Sequence, residues 1–283
     1  MASTLHHNAY GKSAIRLTKV LRGPHRHELA ELSVDILLEG NFAESYLRGD
    51  NRQVIATDSM KNTVYVLAKE NNFESIEDFA ILLCRHFRST YSQVETAMVS
   101  ISQTRWDRIQ VKDQPHPHAF VAGGSERRTC QARIEANAAS AALTGGIAGL
   151  QVLKTTDSEF SDFVSDRYRT LKDTRDRIFA TSVDADWSYA AGKADFGACF
   201  VSIRAALLTT FATHHSLAVQ QTLLAMGEAA LSACPAIQSI DLKMPNQHRI
   251  PFNLEPFGIK NDNEIFVPFD EPFGMITGVV TRA

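Results

Sequence analysis

The sequence contains few cysteines, and none of them pair at a spacing that binds metal. Among its 283 residues there are 4 cysteines, far apart and without a CxxC pair: Cys84, Cys130, Cys199 and Cys234. Widely separated cysteines of this kind predict reduced, buried thiols in a cytoplasmic protein. A disulfide framework and a cysteine-bound zinc ion are therefore not expected.

An excess of one charge and long apolar runs are also lacking. The 29 Lys and Arg residues stand against 32 Asp and Glu residues, so the net charge of -3 offers no footprint for nucleic acid or an acidic membrane. The most apolar stretch, Ala198 to Thr213, is interrupted by Arg204, and Met1 to Lys12 lacks the apolar core of a signal peptide. We therefore expect a cytoplasmic globular protein without a nucleic-acid or membrane partner.

The motifs that bind common cofactors are missing as well. There is no HExxH zinc motif, no GxSxG elbow and no GxGxxG that opens a helix. Three histidine pairs have no carboxylates or cysteines at ligand spacing and are predicted to be turn residues: His25 and His27, His116 and His118, and His214 and His215. An enzyme with this sequence would work without a metal or a motif-bound nucleotide.

The residues that are present predict the same order of elements twice. In the first half, alternating apolar residues mark strands at 12–22, 32–38 and 94–103. Thr57-Asp58-Ser59 provides an N-cap for a helix from Met60 to Lys69, and the capping box Ser75-Ile-Glu-Asp78 begins a second helix.

The second half repeats strand, strand, helix, helix and strand. Strands are predicted at 150–155, 177–189 and 237–244 and helices at 196–213 and 216–233, with further strands at 119–122, 129–136 and 265–268. Helices clustered between strand pairs favour an α+β fold, in which antiparallel sheets carry paired helices on one face. We predict two tandem units, residues 1–140 and 141–283. Open sheet edges favour oligomerisation, because an unpaired edge promotes aggregation.

Several polar residues lie near the ends of predicted elements and are candidates for a site. Lys12 is by default a solvated lysine, and Thr57-Asp58 is by default a helix cap. Leu153 to Phe160 follows a strand directly, and Asp173 to Ile178 places two arginines where an inward guanidinium would need a planar anionic partner. Pro245-Asn-Gln-His248 is predicted to leave the sheet at a turn. The residues alone indicate an unspecified binding site.

Taken together, these segments resemble the urate oxidase (uricase) family. The matching words run in order through almost the whole chain: Tyr10-Gly-Lys12, Ala56-Thr-Asp-Ser59, Lys61-Asn-Thr63, Gly149 to Phe160, Tyr168-Arg-Thr-Leu171, Asp176-Arg-Ile178, Ala218-Val-Gln220, Pro245-Asn-Gln-His248, Pro256-Phe-Gly258 and Asn263-Glu-Ile-Phe266. Their order and spacing, including the 17 positions from Phe160 to Arg177, argue against a chance match. The resemblance implies two tunnelling-fold (T-fold) units per chain and a homotetramer with active sites at subunit interfaces.

The resemblance also implies how a purine would be held. Arg177 would bind one edge of the ring through a forked (bidentate) contact, and Gln220 would bind the other edge with its amide. Val219 would offer its backbone nitrogen, and Phe160 would stack on the flat ring. These four residues are the expected substrate-binding set, together with Thr57, Asp58 and Asn246.

For the chemistry, the resemblance implies oxidation of urate by O2 and water to 5-hydroxyisourate and hydrogen peroxide, a step of purine catabolism without metal or organic cofactor. Thr57 and Asp58 would come from a neighbouring subunit. Lys12 and Thr57 would abstract a proton, and His248 would complete the relay. Asn246 and Thr57 would hold oxygen or water above the ring.

Two other functions compete with this interpretation. Other tunnelling-fold enzymes that act on purines or pterins, such as cyclohydrolases and aldolases, anchor the heterocycle with a Glu, and the cyclohydrolases use zinc, for which this chain lacks ligands. A non-catalytic purine-binding oligomer would need the binding residues but would have no use for Lys12, Asn246 and His248 together. Their joint presence favours catalysis.

The sequence departs from the family at three places. Arg175 stands where some relatives have Trp, Ser161-Asp162 replaces a Trp-Gly pair, and Ala218 takes a position that is often Ser. None of these departures removes a residue with an implied role. The chain ends in Thr-Arg-Ala, not in a peroxisomal Ser-Lys-Leu, which agrees with the expected cytoplasmic location.

Overall fold

The structure, a computed structural model, describes residues 3–190 and 194–282, except the side chain of Asp270. The chain divides into two compact units. Unit 1 consists of Met1–Gly146 and Ala191–Gly197, and unit 2 of Ile147–Ala190 and Ala198–Ala283. Each unit contains antiparallel strands and helices, which confirms the predicted α+β class.

Unit 1 is an antiparallel sheet in the order β1-β2-β3-β4, covered by helices. Its elements are β1 (Ala9–Arg22), β2 (His27–Gly40), α1 (Ala43–Arg48), α2 (Thr57–Glu70), α3 (Ile76–Thr90), β3 (Val94–Val111) and β4 (Gln114–Ile134). The predicted capping box is confirmed, because the Asp78 backbone N–H donates to Ser75 Oγ at 3.1 Å. Helix α1 was not predicted, and β4 is one long strand where two short ones were expected.

The core of unit 1 lies between this sheet and the helices α2 and α3. Met60 and Val64 of α2 are fully buried, as are Phe79, Leu83 and Phe87 of α3. These positions are three or four residues apart, which is the spacing that places apolar side chains on one helix face. Burial of this face anchors the first turn of α2, which carries Thr57 and Asp58.

Unit 2 contains strands in the order β5-β6-β7-β8 and two helices. Its elements are β5 (Ala142–Lys154, in unit 2 from Ile147), β6 (Phe179–Tyr189), α4 (Phe196–Thr213), α5 (Val219–Ala233), β7 (Ile237–Pro251), a short 3-10 helix (Glu255–Phe257) and β8 (Phe266–Thr281). The predicted turn at Pro245–His248 is wrong, because β7 continues through these residues to Pro251. Arg177 precedes β6 instead of beginning it.

Helix α4 has the length and apolar composition of a membrane span. Its buried residues recur every four positions, however, and form one stripe directed at the core: Cys199, Ile203, Leu207 and Phe211. The Phe211 ring lies 5.1 Å from that of Phe179, which is fully buried. A core helix of a globular protein has the same length and apolar composition, so the expected absence of a membrane partner stays a prediction.

Candidate active site

A cavity of about 960 Å³ in unit 2 collects six of the predicted site residues. They come from the β5–β6 connection, the start of α5 and the strand β7: Phe160, Arg177, Val219, Gln220, Asn246 and His248. Concave sites with a few convergent polar groups are the usual places for small-molecule binding. The structure therefore brings together residues that are up to 88 positions apart in the sequence, from 160 to 248.

Short backbone bridges position Phe160 and Arg177 at this cavity. Phe160 and Thr174 exchange two backbone hydrogen bonds, of 2.9 and 3.0 Å. The Arg177 backbone N–H donates to the Ser158 carbonyl at 2.9 Å, which folds the connection back on itself. The long loop between β5 and β6 is therefore held at the point where the two candidate side chains, Phe160 and Arg177, lie.

Arg177 is a partly buried cation with an unused hydrogen-bond donor. Its Nε is buried and has no hydrogen-bond partner, and its guanidinium carbon lies 5.4 Å from the centroid of the Phe160 ring. Burial lowers the pKa of the Arg177 guanidinium, since the charged form loses hydration. A buried donor without an acceptor is costly, so this arrangement suits an anion that supplies the acceptor and the opposite charge.

The N-terminus of α5 contributes a second feature that suits an anion. Val219 and Gln220 are the first two residues of the helix, and the capping residue Ala218 provides no side-chain acceptor. The first turn of a helix leaves backbone N–H groups without helical acceptors and carries the positive end of the helix dipole. With no acidic residue in this turn, both properties remain available to a ligand in the cavity.

Asn246 and His248 lie two positions apart on β7, which places their side chains on the same face of the strand. Toward β6 the pairing is regular here, with Asn246 opposite Thr181. Toward β8 the register shifts between Asn246, which is paired with Gly274, and His248, which is paired with Phe269. Such irregularities open a sheet locally next to functional sites. A turn is therefore not needed to direct these side chains into the cavity.

The remaining predicted residues, Lys12, Thr57 and Asp58, lie in unit 1. Lys12 sits in β1 just before a register shift toward β2, where Ala14 has a φ of 55°. The Ala14 backbone N–H donates to Asp35 Oδ1 at 2.6 Å and stabilises this bulge. At Gly11 a Cβ would come within 1.7 Å of the Ile36 carbonyl oxygen, so only glycine fits directly before Lys12.

Thr57 and Asp58 form the first turn of α2, close to Lys12. Thr57 is the first residue of the helix and Ala56 is its N-cap, so the predicted Thr57-Asp58-Ser59 cap is wrong. Asp58 forms an ion pair with Lys61, which lowers the pKa of the Asp58 carboxyl, and Lys12 lowers it further. The Ile55 backbone N–H donates a hydrogen bond to the Tyr10 hydroxyl oxygen at 2.8 Å, which connects β1 to the segment before α2.

The cavity also contains charged residues that sequence reasoning did not assign to the site. Lys172, Asp173 and Arg249 line it alongside the predicted residues. Lys172 and Asp173 could have been found from the sequence only by their position just before Thr174, which pairs with Phe160 in an isolated bridge. No group of three or more His, Cys, Asp or Glu residues within 3–190 and 194–282 is placed to hold a metal ion.

The segment after Phe160 contains a strained position that can be tested. Asp162 has a φ of 57°, a left-handed conformation in which glycine is not penalised. Relief of this strain, worth about 1–2 kcal/mol, outweighs the entropy that glycine adds to the unfolded chain, about 0.4–1 kcal/mol, so we expect Asp162→Gly to stabilise the fold by about 0.5–1 kcal/mol and to raise Tm by a few degrees in thermal unfolding. Asp162→Ala keeps the unfavourable φ and removes the carboxylate, so it should not raise Tm. An equal rise for both variants would show that charge, not backbone strain, is responsible.

The fold and the cavity define a class of protein: an α+β protein whose cavity is lined by a partly buried arginine, an aromatic ring and a helix N-terminus, an arrangement that suits a planar anion. The sequence model of the uricase family matches residues 8–133 and 143–277. The chain belongs to the uricase family.

Individual relatives agree with this membership. The chain is 42% identical to the uricase of Arthrobacter globiformis, over 97% of this chain and 89% of that protein. It is 36% identical to the uricase of Dictyostelium discoideum, over 99% of this chain and 98% of that protein. The crystal structure of the Arthrobacter globiformis uricase matches with a TM-score of 0.94 and covers 100% of this chain and 96% of that chain. A Bacillus fastidious uricase, 21% identical, matches the fold with a TM-score of 0.83, over 97% of this chain and 93% of that chain.

Proposed function

We propose that the cavity of unit 2 binds urate and that the chain oxidises it with O2 and water to 5-hydroxyisourate and hydrogen peroxide, without a metal or an organic cofactor. As a member of the uricase family, the chain is a urate oxidase. Arg177 carries the assignment of the site, because a partly buried cation whose Nε donor is buried and unpaired favours an anionic acceptor. Urate, a planar anion near neutral pH, satisfies both requirements.

The other binding roles follow from where the side chains lie. Phe160 presents an aromatic ring beside Arg177, and a flat heterocycle stacks favourably on such a ring. Val219 and Gln220 carry backbone N–H groups of the first helical turn, and the Gln220 amide is exposed at the cavity. Together these groups would fix the plane of urate and two of its edges.

The proposed chemistry has to overcome the slow reaction of triplet dioxygen with closed-shell molecules. Removal of a second proton makes urate electron-rich enough to reduce oxygen directly, so the protein must supply a base. We assign this base to Lys12 with Thr57, which act when the lysine amine is neutral, and His248 would pass the proton on. Water then adds to the oxidised ring, and the two electrons taken from urate leave in hydrogen peroxide.

Oxygen and water would be held above the ring by Asn246 and Thr57. Asn246 lies on β7 on the same face as His248, and its amide provides both a donor and an acceptor. Arg177 would compensate the negative charge that develops on the substrate. In this assignment the protein positions the reactants and balances their charge, while the substrate itself supplies the electrons.

The proposed site is completed by a second copy of the chain. Thr57 and Asp58 would reach the cavity from a neighbouring subunit of a homotetramer built from T-fold units. The ion pair of Asp58 with Lys61, and the 3.0 Å hydrogen bond that it accepts from Asn62, would hold the first turn of α2 ready for this contact. A cytoplasmic location is part of the same proposal.

The proposed chemistry can be tested by removing metal. We expect one mole of O2 to be consumed for each mole of urate that the absorbance shows to be lost. A strong chelator should not change the rate. A zinc-dependent tunnelling-fold enzyme would instead lose its activity with the chelator. If urate absorbance stays constant even without chelator, the protein is a purine-binding protein and not a catalyst.

A further inference from the structure

A group of charged side chains joins the two segments that carry the proposed urate ligands. His215 lies in the loop between α4 and α5, and its Nε2 is 2.7 Å from Glu159 Oε1. Its Nδ1 is 3.6 Å from Asp157 Oδ1, and Arg175 Nη1 lies 3.6 Å from the other oxygen of Glu159. Glu159 directly precedes Phe160, and the His215 loop leads directly into Val219 and Gln220.

The backbone connects the same two segments. The Glu159 N–H donates to the Ser216 carbonyl at 2.7 Å, and the Ser216 N–H donates to the Asp157 carbonyl at 2.9 Å. Ser158 and Ser216 therefore form a parallel bridge, and both residues are fully buried. The contact of His215 with Glu159 adds an ionic bond on the outside of this bridge, with a side chain that titrates near neutral pH.

We propose that His215 is a positioning residue for urate binding. Its ion pair with Glu159 holds Phe160 in place relative to the first turn of α5, so the affinity for urate decreases when His215 loses its proton. This inference rests on the proposed assignment of Phe160, Val219 and Gln220 to the substrate, and it adds to that assignment a residue that does not touch urate.

The charges around His215 determine the direction of the pH effect. Glu159 and, to a smaller extent, Asp157 raise the pKa of the His215 imidazole. The cations nearby are Arg175, which shares Glu159, together with His214 and Lys154, whose Nζ donates to the His214 carbonyl. Because the pKa is raised in the paired state, the pair is intact at low pH and is lost as the pH rises through that raised pKa.

A separate buried network keeps the loop folded when the ion pair is absent. The Thr222 hydroxyl donates to Ser216 Oγ at 2.8 Å, and His214 Nδ1 lies 3.2 Å from Thr222 Oγ1. Since Ser216 and Thr222 are fully buried, they fix the start of α5 from inside the unit. Loss of the His215 pair is therefore expected to loosen the alignment of Phe160 without unfolding the loop.

The test compares KM and kcat for urate between about pH 6 and 9. In His215→Asn and in Glu159→Gln we expect KM to be about two- to fivefold higher at the acidic end, with kcat changed less than twofold. The ratio of the variant KM to the unmodified KM should fall to one at the alkaline end for His215→Asn, and it should also fall for Glu159→Gln, which in addition loses the ion pair with Arg175 at every pH. His215→Lys, which stays cationic, should keep KM low throughout. His25→Asn, an exposed histidine of unit 1, is the matched control and should leave the profile unchanged.

A purely structural role would give a different pattern. A KM ratio that stays constant with pH, or a lower Tm without any change in KM, would overturn the inference. Phe160→Ala separates this failure from failure of the proposed site. If Phe160→Ala raises KM and His215→Asn does not, only the positioning role is wrong; if Phe160→Ala leaves KM unchanged, the assignment of the cavity itself is wrong.

Discussion

The Lys12→Met variant is expected to bind a urate analogue about as well as the unmodified protein but to turn urate over at least about 100-fold more slowly. The proposed role of Lys12 is removal of a proton, and a well-placed general base contributes about 100- to 10,000-fold to a rate. Methionine has nearly the same length but cannot accept a proton. Asp58 keeps Lys61 as its main partner, so the first turn of α2 should remain in place.

The measurement is kcat from steady-state oxidation of urate, together with the Kd of a non-reactive analogue. Lys112→Met is the matched control, because Lys112 is an exposed residue of the β3–β4 turn. Its kcat and Kd should both stay at the unmodified values. Weakened binding of the analogue with an unchanged kcat would exclude Lys12 as the base and leave it only a binding role.

Replacement of Arg177 is expected to have its largest effect on binding. Arg177→Gln should raise KM about 100-fold, since a buried, charge-assisted contact to an anion is worth about 2–3 kcal/mol. Arg177→Lys keeps the charge but loses the planar, forked guanidinium, so its KM should lie between those of the unmodified protein and Arg177→Gln. Because Arg177 in the free protein is a desolvated cation with an unpaired Nε, its loss should not lower the free energy of unfolding.

Thermal unfolding with and without the analogue measures both effects. The analogue should raise Tm of the unmodified protein but not that of Arg177→Gln, because only a bound ligand stabilises the fold. Arg85→Gln, an exposed arginine of α3, controls for the general effect of removing a positive charge. A marked fall in the Tm of ligand-free Arg177→Gln would show that Arg177 serves the fold and not the substrate.

The local patterns of the sequence predicted the elements well where hydrophobic periodicity was strong. The helix after Ser75 begins where its capping box indicates, because the Ser75 side chain and the apolar stripe of α3 act within a few residues. Thr57-Asp58 was assigned outside α2 by the same rules and lies inside it. Thr and Asp are common in a helix cap and in a first turn alike, and the register depends on how α2 packs on its sheet.

The error at Pro245–His248 has a different physical cause. Pro and Asn usually mark turns, but β7 continues because its neighbours β6 and β8 supply hydrogen-bond partners on both sides. The shift of register toward β8 lies beside Asn246 and His248, and no local property of β7 encodes it. Long-range pairing, which a single sequence does not display, therefore decided the geometry of these two side chains.

The sequence by itself determined the α+β class and most of the order of the elements, and it provided the candidate site residues, because each depends on local periodicity or on short sequence motifs such as those around Lys12 and Arg177. Only the tertiary structure decided that Phe160, Arg177, Val219, Gln220, Asn246 and His248 line one cavity. It also joined His215 to Glu159 across 56 positions. The reason is physical: packing buries the Arg177 Nε without an acceptor, which suits an anion, and burial is a property of the packed chain.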